Sequence, residues 1–338
     1  MLDRKGKGIF KKFRKEAELD EFIISNSTVL PGESTLIKLN VGRLPSGTRI
    51  SIDAHVFRGK EDGPTALILG GVHGDEINGI EIVRRCLEEE VFDGITKGTI
   101  IAIPIVNIYG FINFSRSVPD GKDVNRSFPG STAGSLASRV ARTLTKKVMP
   151  MVDFIIDLHT GGSSRFNYPQ IRYAKSDPLA KELGRQFGAP FLIQKPFISK
   201  SLRKVAFEMK IPTIVYEAGE SIRFDGYSID LGVKGIKRIL SNAGMISVSN
   251  ISFDIRMFHV TKTSWIRSPN SGLFIWSKAS GQKVSKGEPL GYIKDPQGLK
   301  SVTIFANRTG YIIGHNNASV VNQGDALFHI TYEQEEIS

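Results

Sequence analysis

The 338-residue chain is 40% hydrophobic and carries a formal net charge of +11, enough length and apolar content for two domains with sizeable cores. No apolar run approaches the roughly 20 residues that span a bilayer, and the start Met1-Leu2-Asp3-Arg4-Lys5-Gly6-Lys7 leads into no apolar signal region. A lone Cys86 excludes an intrachain disulfide, so the expectation is a cytoplasmic protein.

Basic residues crowd the first 20 positions (Arg4, Lys5, Lys7, Lys11, Lys12, Arg14 and Lys15), which read as a solvated N-terminal arm, a contact for polyanions being the alternative. No nucleic-acid motif or aromatic–basic interleaving follows. The expected partner is a small carboxylate-bearing substrate, with neither nucleic acid nor membrane, and the remaining positive charge serves to attract it. A homo-oligomer is compatible with the composition, but no pattern encodes one.

Residues 20–62 read as short strands broken at Pro31-Gly32 and Pro45-Ser46-Gly47. From about 63 the texture becomes α/β. Apolar runs at 65–71, 99–107, 152–158, 191–194 and 212–216 predict buried strands, and helices are expected over 77–91, 133–149, 177–187, 201–209 and 228–242. This alternation predicts a mostly parallel or mixed sheet flanked by helices over residues 21–250. Sites in such sheets gather at the carboxyl ends of strands, where His73, Asn107, His159 and Glu217 all fall. Residues 251–338 predict a small all-β, barrel-like domain. In it Gln282-Lys283-Val284-Ser285-Lys286-Gly287-Glu288-Pro289-Leu290 weakly parallels Ser319-Val320-Val321-Asn322-Gln323-Gly324-Asp325-Ala326-Leu327.

Gly70-Gly71-Val72-His73-Gly74-Asp75-Glu76 follows the first buried run, and Asp157-Leu158-His159 ends another. His73 and Glu76 are three apart and share a face in a helical first turn. With His159 they form the two-histidine, one-carboxylate set of many catalytic zinc sites, which lower the pKa of water and polarise a carbonyl. Alone, His73 and Glu76 would read as residues of a helix start. Asp157, two before His159, points to the same side in extended backbone, either orienting that ligand or ending the strand as a plain polar residue.

In Asp123-Val124-Asn125-Arg126-Ser127-Phe128, Asn125 and Arg126 suit a substrate carboxylate, since guanidinium is a bidentate carboxylate receptor. Arg116 suits a developing oxyanion; for either arginine, a surface ion pair is the plain alternative. Glu217, directly after a buried strand, is costly there unless paired or functional. As general base it would take a proton from water and hand it to a leaving amine; Glu220 is the rival.

Four motifs occur in order: Gly71-Val72-His73-Gly74-Asp75-Glu76, Asp123-Val124-Asn125-Arg126-Ser127-Phe128, Asp157-Leu158-His159-Thr160-Gly161-Gly162 and Tyr216-Glu217-Ala218-Gly219. Together they resemble the succinylglutamate desuccinylase/aspartoacylase family, related to the zinc carboxypeptidases, over roughly residues 45–335. The resemblance implies one zinc ion per chain on His73, Glu76 and His159. It also implies substrate carboxylate binding by Asn125 and Arg126, carbonyl polarisation by Arg116 and acid/base catalysis by Glu217. Arg165, Asn167 and Arg172 resemble polar pocket residues of some members, or are exposed loop residues. The C-terminal segment resembles the family's β domain, similar to biotinyl and lipoyl carriers. Lys294-Asp295-Pro296-Gln297-Gly298-Leu299-Lys300 lacks the carrier pattern, so a structural wall over the active-site mouth is expected. The implied activity is zinc-dependent amide hydrolysis of an N-acyl amino acid. A carboxypeptidase acting on peptide C-termini is the alternative, and a non-catalytic binding protein on the same fold is the alternative of a different class.

Overall fold

The computed structural model describes residues 21–43, 46–247 and 255–337, so the basic arm at 1–20 lies outside the described residues. The described residues open with a small hairpin, β1 (Phe22–Ile24) and β2 (Ser27–Val29), then β3 (Ser34–Arg43), β4 (Arg49–Arg58) and β5 (Glu61–Leu69). There follow α1 (Ile77–Glu88), β6 (Lys97–Ile103), α2 (Ile108–Ile112), α3 (Leu136–Lys147), β7 (Phe154–Gly161) and β8 (Arg165–Tyr173). Next come α4 (Pro178–Phe187), β9 (Phe191–Gln194), α5 (Leu202–Glu208), β10 (Thr213–Glu220) and α6 (Gly226–Asn242). The remainder is all β: β11 (Met257–Arg267), β12 (Gly272–Trp276), β13 (Lys283–Val284), β14 (Pro289–Lys294), β15 (Ser301–Phe305), β16 (Gly310–Asn316), β17 (Val320–Val321) and β18 (Ala326–Ile337).

The central sheet runs β3-β4-β6-β5-β7-β10-β8-β9 and continues through β11, β18, β16 and β13. Strands β6, β5, β7 and β10 are parallel, as the buried apolar runs predict. Their side chains alternate between two cores. Ala66, Ile68, Ile156 and Leu158 pack with Ile82 of α1, Leu183 and Phe187 of α4, and Ile236 of α6. Leu67, Leu69 and Ile155 pack with Val140 and Leu144 of α3 and with Leu202, Val205 and Ala206 of α5. Each such fully buried aliphatic side chain contributes roughly 1.5–3 kcal/mol of burial, so both layers hold the parallel strands in one register.

After β5 the chain moves outward to β6 on one side, whereas after β7 it goes to β8, beyond β10, on the other. The carboxyl ends of β5 and β7 therefore flank the switch point where sheets of this kind bind ligands.

Strand β8 was not foreseen: Arg165, Asn167 and Arg172, read as pocket residues or exposed loop residues, lie on a strand. Its polar residues and Pro169 hide a strand that pairs antiparallel with β10 and parallel with β9. Because β16 also pairs with β8, the strands β8-β9-β11-β18-β16 close into a five-stranded ring. The expected C-terminal barrel-like region thus shares two strands with the α/β sheet. A separate four-stranded sheet, β15-β14-β12-β17, packs over the core of Ile266, Phe274, Leu290, Ile293, Phe328 and Ile330. Among the described residues no helix is long and apolar enough to cross a membrane.

Candidate active site

His73 and Glu76 do meet, but in a turn that precedes α1 and not within its first helical turn. Glu76 N donates to His73 O at 3.3 Å, and Glu76 is the N-cap residue with no capping bond from its own side chain. The carboxylate is thereby free to face the imidazoles. The turn needs its glycines: Gly71 has φ +58°, and a Cβ on Gly74 would lie 2.0 Å from the Gly110 carbonyl carbon. That contact presses the His73 turn against α2.

Glu76 Oε1 is 2.8 Å from His73 Nδ1, Glu76 Oε2 is 2.7 Å from His159 Nδ1, and the two Nδ1 atoms are 3.2 Å apart. All three side chains are buried. Tetrahedral zinc with ligands at about 2.0–2.1 Å holds its donor atoms about 3.3 Å apart, so the donor set fits a divalent cation. The outer ring nitrogens strengthen that fit. His73 Nε2 lies 3.1 Å from Asp123 Oδ1, and His159 Nε2 lies 3.0 Å from Asp157 Oδ2. A carboxylate behind an imidazole favours the tautomer that turns a bare nitrogen toward a metal; Asp123 is placed to do so by a hydrogen bond to His73 and Asp157 by its charge beside His159. The Asp157 contact is close enough for an ion pair, but its direction is off for a hydrogen bond, and both Asp157 oxygens are otherwise buried without partners.

Electrostatics follow from the packing. Burial depresses the pKa of His159, but Asp157 and Glu76 outweigh it and hold it well above the ordinary histidine range. Burial likewise opposes the charge on Glu76, and the two imidazoles overcome it, leaving the carboxyl well below its usual value. Asp123 is also lowered: burial raises it, and His73 with Arg116 more than reverse that. A cluster whose carboxylates stay ionised suits a cation.

Arg116 donates from Nη1 to Glu76 Oε1 at 3.1 Å and from Nη2 to Asp123 Oδ2 at 3.0 Å. Asn107, a strand-end candidate, caps α2 by accepting from Gly110 N at 2.9 Å and holds the Arg116 carbonyl at 3.2 Å. It supports the site without lining it.

Glu217 stands in register beside His159 on the parallel pair β10 and β7, and therefore on the same face. Its carboxylate accepts from Asn167 Nδ2 at 2.8 Å and from Arg172 Nη1 at 2.7 Å. Glu220 turns away and accepts from Asn317 Nδ2. From α1, Asn78 holds the loop after β10 through the carbonyls of Glu220 and Arg223 and the amide of Asp225, tying the Glu76 segment to the Glu217 segment.

These groups open into a cavity of about 390 Å³ lined by His73, Glu76, His159, Arg116, Asn125, Arg126, Arg165, Arg172 and Glu217, among others. These nine sequence-derived candidates are thus brought together, whereas Asn107 and Glu220 do not line the cavity. Asn125 uses Oδ1 to cap α5 at Leu202 N (2.9 Å), while Arg126 is exposed at the rim and donates to the Asn125 carbonyl. Arg165 is exposed as well. The cavity also contains Lys195, Arg203, Trp265 and His329, none of which the sequence reading singled out. Arg203 lies inside a helix, and Trp265 and His329 lie more than 100 residues from His159, so no local pattern marks them. In all, six cations (Arg116, Arg126, Arg165, Arg172, Lys195 and Arg203) face three carboxylates (Glu76, Asp157 and Glu217).

Comparison with known proteins gives the family. Residues 62–243 match the succinylglutamate desuccinylase/aspartoacylase catalytic domain. The N-alpha-acetyl-L-2,4-diaminobutyric acid deacetylase of Halomonas elongata is 28% identical over 279 residues, covering 79% of this chain and 81% of that protein. The fold is shared with the product-bound ectoine utilization protein EutE (DoeB) of Ruegeria pomeroyi (TM-score 0.79, 24% identity, 89% of this chain and 95% of that one). It is shared too with a succinylglutamate desuccinylase/aspartoacylase from Rhodobacter sphaeroides (TM-score 0.77, 24% identity, 90% and 96%). The chain belongs to the succinylglutamate desuccinylase/aspartoacylase family, and with it to the hydrolases that act on linear amides other than peptide bonds.

Proposed function

We propose that this protein is a zinc-dependent deacylase that cleaves the amide of a small, carboxylate-bearing N-acyl amino acid. The observation that carries the reading is the convergence of His73 Nδ1, His159 Nδ1 and Glu76 on one point, each imidazole backed by its own aspartate. His73, Glu76 and His159 would hold the ion. Bound in such a site, zinc lowers the pKa of water and polarises a carbonyl oxygen.

The chain's own residues supply the rest. Glu217, beside His159, accepts the proton of the attacking water and returns it to the nitrogen of the leaving amine. Asn167 and Arg172 hold both its oxygens, so the base is oriented before substrate arrives. Arg116, fixed by Glu76 and Asp123, offers its guanidinium to the developing oxyanion. Arg126 at the rim takes the α-carboxylate, with Asn125 holding the loop onto α5. A cavity of about 390 Å³ admits a small acylated amino acid more readily than a folded peptide. Support comes also from the Halomonas relative, a deacetylase of an N-acetyl amino acid.

The test is amine release from a panel of N-acetyl and N-succinyl amino acids set against blocked dipeptides. Turnover of the former group only is expected. Turnover confined to dipeptides would make the protein a carboxypeptidase.

A further inference from the structure

A second cavity, of about 460 Å³, is lined by parts of the 122–130 segment, by Ser138 in the first turn of α3 and by Lys200 ahead of α5. It contains none of the residues placed on the metal, and not Glu217. Among the described residues, Arg126 alone lines both this cavity and the catalytic one. Its walls are set by close packing. Gly130 has φ +81°, and a Cβ there would lie 2.2 Å from the Ser138 carbonyl oxygen and 2.4 Å from Arg142 N, so the loop backbone is pressed onto α3. Phe128 is buried, and its N–H donates to the Lys200 carbonyl at 3.0 Å, which ties the Lys200 turn to the same loop.

The lining is rich in positive charge that nothing neutralises. Lys122 and Arg126 come from one segment and Lys200 from another. The one carboxylate in the lining, Asp123, is spent elsewhere: Oδ1 on His73 Nε2 and Asn125 N, and Oδ2 on Arg116. Among the described residues, no carboxylate pairs with Arg126 or Lys200, and Lys122 meets only Asp120, at 3.9 Å. Helix α3 adds to the field. Its first turn has no acidic residue, and Arg139, Arg142 and Lys146 follow at the spacing of one helix stripe. Ser138 Oγ accepts from Ser131 N at 2.9 Å, which leaves the hydroxyl hydrogen without an acceptor among the described residues. Three cations, a helix start and a spare hydroxyl hydrogen all favour an anion.

We propose that this cavity is a regulatory site for a phosphate group, free or carried on a small molecule, and that its occupant competes with substrate for Arg126. A carboxylate presents two oxygens in one plane. A phosphate presents its oxygens in a tetrahedron, so it meets cations that arrive from separate segments. The volume falls within the roughly 300–1,000 Å³ of small-molecule sites, which leaves room for an organic group beyond the phosphate. A phosphate held by Lys122 and Lys200 engages the Arg126 guanidinium and withdraws it from the catalytic rim. The site itself stands apart from the deacylase reading; the competition rests on that reading, in which Arg126 takes the α-carboxylate.

The experiment titrates inorganic phosphate, glycerol 3-phosphate and citrate by calorimetry, at low ionic strength, into the full-length wild type and Lys122→Gln/Lys200→Gln. Both lysines are exposed, so the variant should fold as the wild type does. The affinity for phosphate should fall about tenfold or more in the variant, whereas any phosphate bound at the metal is held alike by both proteins. Tighter binding of glycerol 3-phosphate assigns the site to a phosphorylated small molecule, and tighter binding of phosphate assigns it to the free ion. Equal affinities in the two proteins, or citrate bound at least as tightly as either phosphate, would overturn the site. In steady-state kinetics phosphate should raise KM for an N-acyl amino acid and leave kcat unchanged. The variant should lose that inhibition and keep the wild-type kcat/KM without phosphate, since neither lysine lines the catalytic cavity. Inhibition of equal strength in both proteins would place the phosphate in the catalytic cavity and overturn the competition. If no N-acyl amino acid is turned over, the deacylase reading fails, and the calorimetry still decides the site.

Discussion

Arg172 Nη1 donates to Glu217 Oε1 at 2.7 Å, from β8 to its antiparallel neighbour β10. The contact ties the residue placed to move protons to a strand of the closed ring, so the C-terminal strands and the proton-transfer group share one framework. Replacing the carboxylate alone isolates its chemistry. Glu217→Gln should keep the metal and lower kcat by about 10²–10⁴-fold, checked by steady-state kinetics alongside elemental analysis. Undiminished turnover would move the base elsewhere.

The aspartates behind the imidazoles should act on metal affinity. Asp157 lies 3.0 Å from His159 Nε2, and Asp123 lies 3.1 Å from His73 Nε2. Asp157→Asn and Asp123→Asn are each expected to weaken metal binding by about 10–100-fold. Competition against a chromogenic chelator measures this. An affinity unchanged in both variants would mean that the imidazoles are held by packing alone.

Arg126→Ala should chiefly weaken binding of substrates with a free α-carboxylate. A charge-assisted contact of this kind is worth roughly 1.5–3 kcal/mol, seen as a rise in KM. The control is a substrate whose α-carboxylate is converted to an amide. Equal losses on both substrates would reduce Arg126 to a rim residue that supports its loop through the Asn125 carbonyl.

The alternating layers and the His73–Glu76–His159 cluster were readable because each rests on a local signal. Ala66-Leu67-Ile68-Leu69 and Phe154-Ile155-Ile156 are uninterrupted buried strands, and each runs into a short histidine motif. Parallel sheets then place such strand ends together. Strand β8 was not readable, because Arg165-Phe166-Asn167-Tyr168-Pro169 has the polarity and the proline of a loop. Its conformation comes from partners on β10, β9 and β16, not from its own propensity. Lys195, Arg203 and His329 were missed for a related reason: they reach the cavity from the end of β9, from α5 and from β18, and a lone lysine, a helical arginine and a strand histidine are ordinary in sequence.

The central claim is that hydrolysis depends on an ion held by His73, Glu76 and His159. It is tested most directly by stripping the full-length protein with a chelator and following amine release from an N-acyl amino acid while zinc is titrated back. Activity should be lost on stripping and should rise linearly to saturation at one zinc per chain, with His159→Ala showing neither zinc uptake nor recovery. Turnover that survives complete removal of metal, or that recovers equally in His159→Ala, would contradict the account.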